Sequence, residues 1–189
     1  MRQMNLFIVL ALALALAMDA FAVSLGISIT RDKITGKQTF RLAFHFGLFQ
    51  FLMPIVGWIT GETILKFVQS FDHWIALVLL LFIGGKMIYE SFKLGEKHKR
   101  DDRDPTKGSS LLFLSIATSI DALAVGLSLA VLEVNIIYPA AIIGIVAFLM
   151  TGLGMKIGPH LGKLMGKGAE LLGGVILILV GLKILFEHL

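Results

Sequence analysis

Ala17-Met18-Asp19-Ala20-Phe21-Ala22-Val23 sets one carboxylate inside an otherwise uncharged apolar run from Met4 to Thr30. As a helix, a run of that length crosses a hydrocarbon core of about 30 Å and places Asp19 near its middle. A second copy, Ser119-Ile120-Asp121-Ala122-Leu123-Ala124-Val125, stands 102 positions further on in another apolar run. An ionisable group at such depth is costly, so it marks function by default. A single intramembrane Asp can also serve, protonated, as a hydrogen-bonded clasp between helices, but a symmetric pair fits that role less well.

The composition around these two stretches fixes the broad class. With 57% hydrophobic and 16% charged residues over 189 positions, and a mean hydropathy of +0.88, the chain is an integral membrane protein. Its net charge of +4 does not point to nucleic acid, because the basic residues are dispersed between apolar runs and report topology instead. The absence of cysteine excludes disulfides, thiolate metal ligands and a thiol nucleophile.

Apolar windows predict six membrane helices, near residues 5–29, 40–60, 73–92, 110–131, 137–157 and 169–187. Arg2 and Ala20-Phe21-Ala22 resemble parts of a signal peptide. Against that reading, the motif recurs around Asp121 in mid-chain and the first apolar run continues past the supposed cut. Twelve basic residues fall in connections one, three and five, from Arg31 to Arg41, Lys93 to Lys107 and Lys163 to Lys167, against Arg2 and Lys66 on the other side. The positive-inside rule then makes the odd connections cytoplasmic and turns both termini outward.

The repeat extends beyond the aspartates. At an offset of 97, Gly47, Phe51, Met53, Gly57 and Gly61 match Gly144, Phe148, Met150, Gly154 and Gly158, and Gly84, Lys86 and Glu90 match Gly181, Lys183 and Glu187. The expected fold is an all-α membrane protein of six transmembrane helices in two three-helix repeats, residues 1–92 and 110–189. An odd number of spans per copy makes the repeats inverted, as in many secondary transporters. Residues 93–109 form a charged cytoplasmic linker, read as a solvated tether; its second reading is a metal patch of His98, Asp101, Asp102 and Asp104.

Small residues one turn from each aspartate, Ala15 and Ala22 around Asp19 and Ala117 and Ala124 around Asp121, let helices approach closely and bring the carboxylates together. Gly47, Gln50, Pro54, Gly57 and Gly61 share one face of the second helix. Because Pro54 has no N–H, the Gln50 carbonyl loses its helical partner, so Gln50 offers a side-chain and a main-chain oxygen in one place. The alternative for Gln50 is a packing kink with its amide bonded to a neighbour. In the fifth helix Thr151 stands where Pro54 stood, and its hydroxyl is expected to bond back to its own helix.

Asp19, Asp121, Gln50 and the hydroxyls of Thr118 and Ser119 make an oxygen-rich set without His or Cys, suited to a hard or borderline divalent cation of the manganese or magnesium class. Two carboxylates neutralise one divalent ion; without it, burial favours their protonated forms, which predicts proton-for-metal exchange. Lys86 with Glu90 and Lys183 with Glu187 read as snorkelling ion pairs, and His45 as structural. Asp72-His73-Trp74 reads as a helix start with an interfacial anchor, and Met18 as packing. Gly162-Lys163 and Gly166-Lys167 lack the spacing of a nucleotide-binding loop and no soluble stretch is long enough to hold a nucleotide, which argues against ATP drive.

The runs AMDAFAVSLG, PIVGW, DHWIALVLLLFIGGKMI, SIATSIDALAVGLSLAVLEVNII and KGAELLGGVILILVGLKIL closely resemble the bacterial MntP family of manganese efflux pumps, over nearly all of the chain except the linker. The resemblance implies a six-helix exporter in the bacterial inner membrane, distantly similar to the lysine-exporter superfamily. It carries manganese outward as cargo, with no resident cofactor, and its paired aspartates match Asp19 and Asp121. Some members carry Glu where this chain has Gln50, a departure that removes one negative charge from the set. The partners implied are manganese, protons and the lipid bilayer, with no nucleic acid; a homo-oligomer is left open. Rival readings are an exporter of cadmium, of another divalent cation or of an amino acid. A midplane without fixed positive charge disfavours the amino acid. An intramembrane aspartyl protease also needs two facing aspartates, but those enzymes resemble Tyr-Asp and Gly-x-Gly-Asp motifs, which Met18-Asp19 and Ile120-Asp121 do not match.

Overall fold

The computed structural model describes residues 4–31, 33–68, 104–132 and 134–165, with single helical positions at 81, 85, 88, 175, 176, 178, 179 and 182. The third and sixth expected spans lie outside the described residues apart from those positions. So do Asp72, His73, Trp74, Lys86, Glu90, Lys183, Glu187, His98, Asp101 and Asp102.

The regular elements of the described residues are five helices: α1 Leu6–Ile29, α2 Gly36–Val68, α3 Gly108–Ala117, α4 Ile120–Val131 and α5 Ile137–Met165. In hydrocarbon every backbone N–H and C=O needs an internal partner, so apolar runs of this length become helices whatever the propensity of single residues. Their ends follow capping chemistry. Asn5 accepts from the Phe7 N–H at 2.9 Å, and Asn135 from the Ile137 N–H at 3.1 Å. Thr35 and Gln38 form a reciprocal capping box: the Thr35 hydroxyl takes the Gln38 N–H at 3.3 Å and the Gln38 side chain takes the Thr35 N–H at 2.9 Å. That box starts α2 four residues before the apolar window does.

Among the described residues three helices, Leu6–Ile29, Gly36–Thr60 and Ile137–Lys163, are long and apolar enough to cross a membrane, and α3 with α4 makes a fourth span if that pair, bent by 41°, is counted as one. Where the sequence led to one helix at 110–131, two helices stand, separated at Thr118-Ser119.

Helix α5 packs against α1 and α2, and α2 packs against α4 and α3. The contacts are made over glycines. A Cβ on Gly47 would stand 2.9 Å from the Gly144 carbonyl oxygen and 3.0 Å from Phe148 Cβ; one on Gly144 would stand 2.9 Å from the Gly47 carbonyl oxygen and 2.8 Å from Phe51 Cβ. The crossing of α2 and α5 is thus reciprocal and antiparallel. Gly57 lies on the Leu123 carbonyl of α4, and Gly154 lies on the Phe21 carbonyl of α1, where a Cβ would come within 2.8 Å. Without side chains at these points the backbones approach closely enough for dispersion to hold them, the force available between helices in lipid.

Three apolar clusters result among the described residues; one gathers Leu129, Val134, Ile136 and Ala140, and the other two draw on the helices that carry the aspartates. Of these two, one joins Ala20, Val23 and Ile27 of α1, Leu42 and Phe46 of α2, Leu111, Leu114 and Ala117 of α3 and Met155 of α5. The other joins Ala13 and Leu16 of α1, Ala122 of α4 and Ile143 of α5, with Met53 of α2 packed against it.

The end of the linker is fastened down. Arg41 of α2 donates to Asp104 at 3.0 Å and to the Thr106 hydroxyl at 2.8 Å, and Gln38 donates to Asp104 at 3.2 Å. Asp104 is therefore a cation partner at a tied corner, and the tether reading does not extend to residues 104–107.

Candidate cation site

Between the two clusters that draw on α1, each helix passes through polar residues. In α1 this is Asp19, between Leu16 and Ala20; in α2 it is Gln50, between Phe46 and Met53. In α5 it is Thr151, between Ile143 and Met155, and in the broken span it is Thr118 to Asp121, between Ala117 and Ala122. Asp19, Gln50, Thr118, Ser119 and Thr151 are each at most 4% exposed, and Asp121 is half-buried. All five residues expected to bind the cation from sequence thus fall in one layer, at the changeover from one apolar cluster to the other.

The break organises that layer. The Ala122 N–H, which in an unbroken helix would bond to the Thr118 carbonyl, donates instead to Asp121 Oδ1 at 2.8 Å. The released Thr118 carbonyl accepts from Gln50 Nε2 at 2.6 Å. Gln50 therefore bridges from α2 to the break, and its amide orientation follows: the N–H side is committed to a carbonyl, so Oε1 points away. Gln50 Oε1 is buried without a hydrogen-bond partner. The amide bonded to a neighbour, one of the two sequence readings of Gln50, is thus present, and beside it stands a buried amide oxygen without a hydrogen-bond partner.

Thr118 and Ser119 spend their hydroxyl hydrogens on the end of α3, donating to the Leu114 carbonyl at 2.9 Å and the Ser115 carbonyl at 2.7 Å. Their oxygens keep lone pairs. Asp121 sits in the first turn of α4, where the positive end of the helix dipole complements a negative charge. Asp19 lies in the middle of α1, away from that helix's own ends.

Two features escaped the sequence reading. The break was signalled by Thr118-Ser119, two poor helix formers followed by an acidic residue in what becomes a first turn. Thr151 was expected to bond back to its own helix; instead its hydroxyl is fully buried and has no hydrogen-bond partner. His45 is as expected, its Nδ1–H donating to the Arg41 carbonyl at 2.8 Å.

Among the described residues no group of three or more His, Cys, Asp or Glu comes together. The donors that the described residues bring to this layer are carboxylate, amide, hydroxyl and carbonyl oxygens, of the kind that suits Mg2+, Ca2+ or Mn2+.

A family model described as "Putative manganese efflux pump" matches residues 33–185. A relative from Syntrophotalea carbinolica, named "Putative manganese efflux pump MntP", is 54% identical over 170 residues, 90% of each chain. Relatives of the same name from Nitratidesulfovibrio vulgaris strain DP4 and Citrifermentans bemidjiense are 52% and 51% identical, covering 98% of this chain and 92% and 98% of their own. No solved structure matches the chain. Matched along most of its length by the family and by half-identical relatives, the chain belongs to the MntP family and is a membrane transporter rather than an enzyme.

Proposed function

We propose that this protein is a secondary transporter that moves Mn2+ out of the bacterial cytoplasm in exchange for protons, with Asp19 and Asp121 as cation ligands and proton carriers. Gln50 Oε1, Thr118 and Ser119 supply neutral oxygens. The observation that carries the reading is the polar layer between apolar clusters, in which the buried Asp19 and the half-buried Asp121 stand with a buried, partnerless amide oxygen. A hard divalent ion neutralises the two carboxylates there; when it leaves, protons replace it because bare charges are costly at that depth. The printed names of the relatives support manganese as the cargo and outward as the direction.

Alternating access by inverted repeats fits the helix crossings. Gly57 on the Leu123 carbonyl and Gly154 on the Phe21 carbonyl are equivalent under the sequence repeat, as are the reciprocal contacts of Gly47 with Phe148 and Gly144 with Phe51. Six spans with both termini outside the inner membrane complete the proposal. The absence of cysteine makes it direct to test, since a single Cys introduced in the linker should react with an impermeant maleimide only from the cytoplasmic side.

The test of function is transport in proteoliposomes. An imposed pH gradient should drive Mn2+, and a Mn2+ gradient should move protons; both should vanish in Asp19→Asn and in Asp121→Asn at normal protein levels. Manganese movement indifferent to pH sinks the exchange, and wild-type transport in both variants sinks the site.

A further inference from the structure

We propose that Thr151 is a ligand of the transported cation, giving its hydroxyl oxygen on the Asp19 side of the layer as Gln50 gives its amide oxygen on the Asp121 side. The inference rests on the transport reading above and adds to it a residue in none of the roles assigned so far.

The first ground is how unusual this hydroxyl is. Ser24, Ser115, Thr118, Ser119 and Ser128 each donate to a carbonyl three or four residues back in the chain, the ordinary way to satisfy a hydroxyl inside a membrane helix. Thr151 lies deep within α5, where the same back-bond is open to it, yet its oxygen has no partner while being 0% exposed. A buried polar atom without a partner is rare enough to require an explanation, and an ion is one of few that suit an oxygen facing a carboxylate-bearing helix.

The second ground is register. Helices α1 and α5 run parallel: Gly154 meets Phe21 and Leu25, and Gly158, one turn on, meets Ser28 and Ile29. One turn before Gly154 is Thr151, which places it at the level of Met18 to Phe21, the turn that carries Asp19. Gln50, for its part, is bonded to the Thr118 carbonyl, three residues before Asp121.

The third ground is complementarity between the repeats. The counterpart of Gln50 at the repeat offset is Ala147, and the counterpart of Thr151 is Pro54. At these two pairs of positions each copy thus contributes one neutral side-chain oxygen where the other copy is blank, in addition to the hydroxyls of Thr118 and Ser119. The layer becomes two half-sites, Asp19 with Thr151 and Asp121 with Gln50, in place of a symmetric cage.

The probe is Mn2+ itself, titrated against purified full-length protein by the loss of the free-ion paramagnetic resonance signal, with transport in proteoliposomes alongside. Thr151→Val keeps the shape and removes the oxygen, Thr151→Ser keeps the oxygen, and Thr151→Ala provides a second oxygen-free variant. The oxygen-free variants should bind Mn2+ about tenfold more weakly and raise the half-saturating Mn2+ concentration by a similar factor, while Thr151→Ser stays within about twofold of wild type. Without Mn2+, Thr151→Val should melt no lower than wild type, since it deletes an unsatisfied group. Wild-type Mn2+ affinity in Thr151→Val, with binding lost in Asp19→Asn and Asp121→Asn, overturns the role of Thr151 and leaves the transport reading standing. A marked fall in metal-free melting temperature overturns it too, by showing the hydroxyl already spent on structure. Unchanged binding in the two aspartate variants removes the reading underneath.

Discussion

The two aspartate-bearing segments share a motif and differ in backbone. Helix α1 runs unbroken through Asp19, whereas its repeat partner stops at Thr118-Ser119 and starts again as α4 before Asp121. At the positions equivalent to Thr118-Ser119, α1 has Leu16-Ala17, two strong helix formers. The same carboxylate is thereby offered in two settings. Asp19 is buried mid-helix between two packed clusters, while Asp121 is half-buried at a helix start with the Ala122 N–H against it. A carboxylate at a helix N-terminus is complemented by the dipole and one in mid-helix is not. The two segments share the motif around the carboxylate and differ just before it, Leu16-Ala17 against Thr118-Ser119.

The largest effect expected from breaking this comparison is at the carboxylates. Both Asn variants should lose transport by more than about a hundredfold, since each removes a charge the divalent ion needs. Lengthening separates the two. Asp19→Glu forces an extra methylene into a position only 4% exposed, at an overpacking cost of about 1–3 kcal/mol. Asp121→Glu has partly open space to enter. Transport rates should therefore rank wild type, then Asp121→Glu, then Asp19→Glu; equal loss in both would mean that the difference in burial has no functional weight.

The break itself can be removed by writing Leu16-Ala17 into the second copy, as Thr118→Leu with Ser119→Ala. A continuous helix would return the Thr118-position carbonyl to the Ala122 N–H and leave the Gln50 amide without its acceptor, which costs about 1–3 kcal/mol for a buried group. Transport should fall at least about tenfold while helix content by circular dichroism does not fall. A double variant that transports normally would show that the interruption is incidental.

The glycine contacts test the comparison on the packing side. Gly57→Ala drives a Cβ into the Leu123 backbone carbonyl, whereas in Gly154→Ala the nearest obstacle is the Ser24 hydroxyl, a side chain that can rotate, followed by the Phe21 carbonyl at 2.8 Å. We expect about 3 kcal/mol of destabilisation for Gly57→Ala and about 1–2 kcal/mol for Gly154→Ala, read as thermal shifts in detergent. The reverse order would mean that α4 yields more easily than α1.

Much of this was legible in the sequence for a physical reason. The apolar runs, the intramembrane aspartates and the glycine stripe are each set by one requirement of the bilayer, and the observed helices α1, α2 and α5 lie on their windows. The break was not legible through hydropathy, because an average over about twenty residues does not register two hydroxyl residues in a row. Capping chemistry would have found it, as Thr35 and Gln38 would have found the true start of α2. Thr151 was not legible at all: whether a helical threonine bonds to its own backbone depends on what faces it from α1, which only packing decides.

The smallest expected effect concerns how the two segments begin. Helix α1 starts on an ordinary Asn5 cap, whereas α3 follows a corner tied to α2 through Asp104, Thr106 and Arg41. Burial works against the charge on Asp104 and is the strongest single influence on it. Hydrogen bonds from the Thr106 hydroxyl and amide and from Gln38, with the positive charge of Arg31, together outweigh it and hold the carboxyl below its ordinary value of 3.8. A carboxyl depressed in the folded state stabilises at all pH above its unfolded value and loses that contribution as pH falls through the folded one. At pH 7 the latch is therefore fully formed, and Asp104→Asn should cost about 1–2 kcal/mol, a shift of a few degrees in melting temperature. The gap between wild type and Asp104→Asn should close only on acidification below 3.8, and a gap that closes already near pH 6 would assign it to a histidine instead of to Asp104.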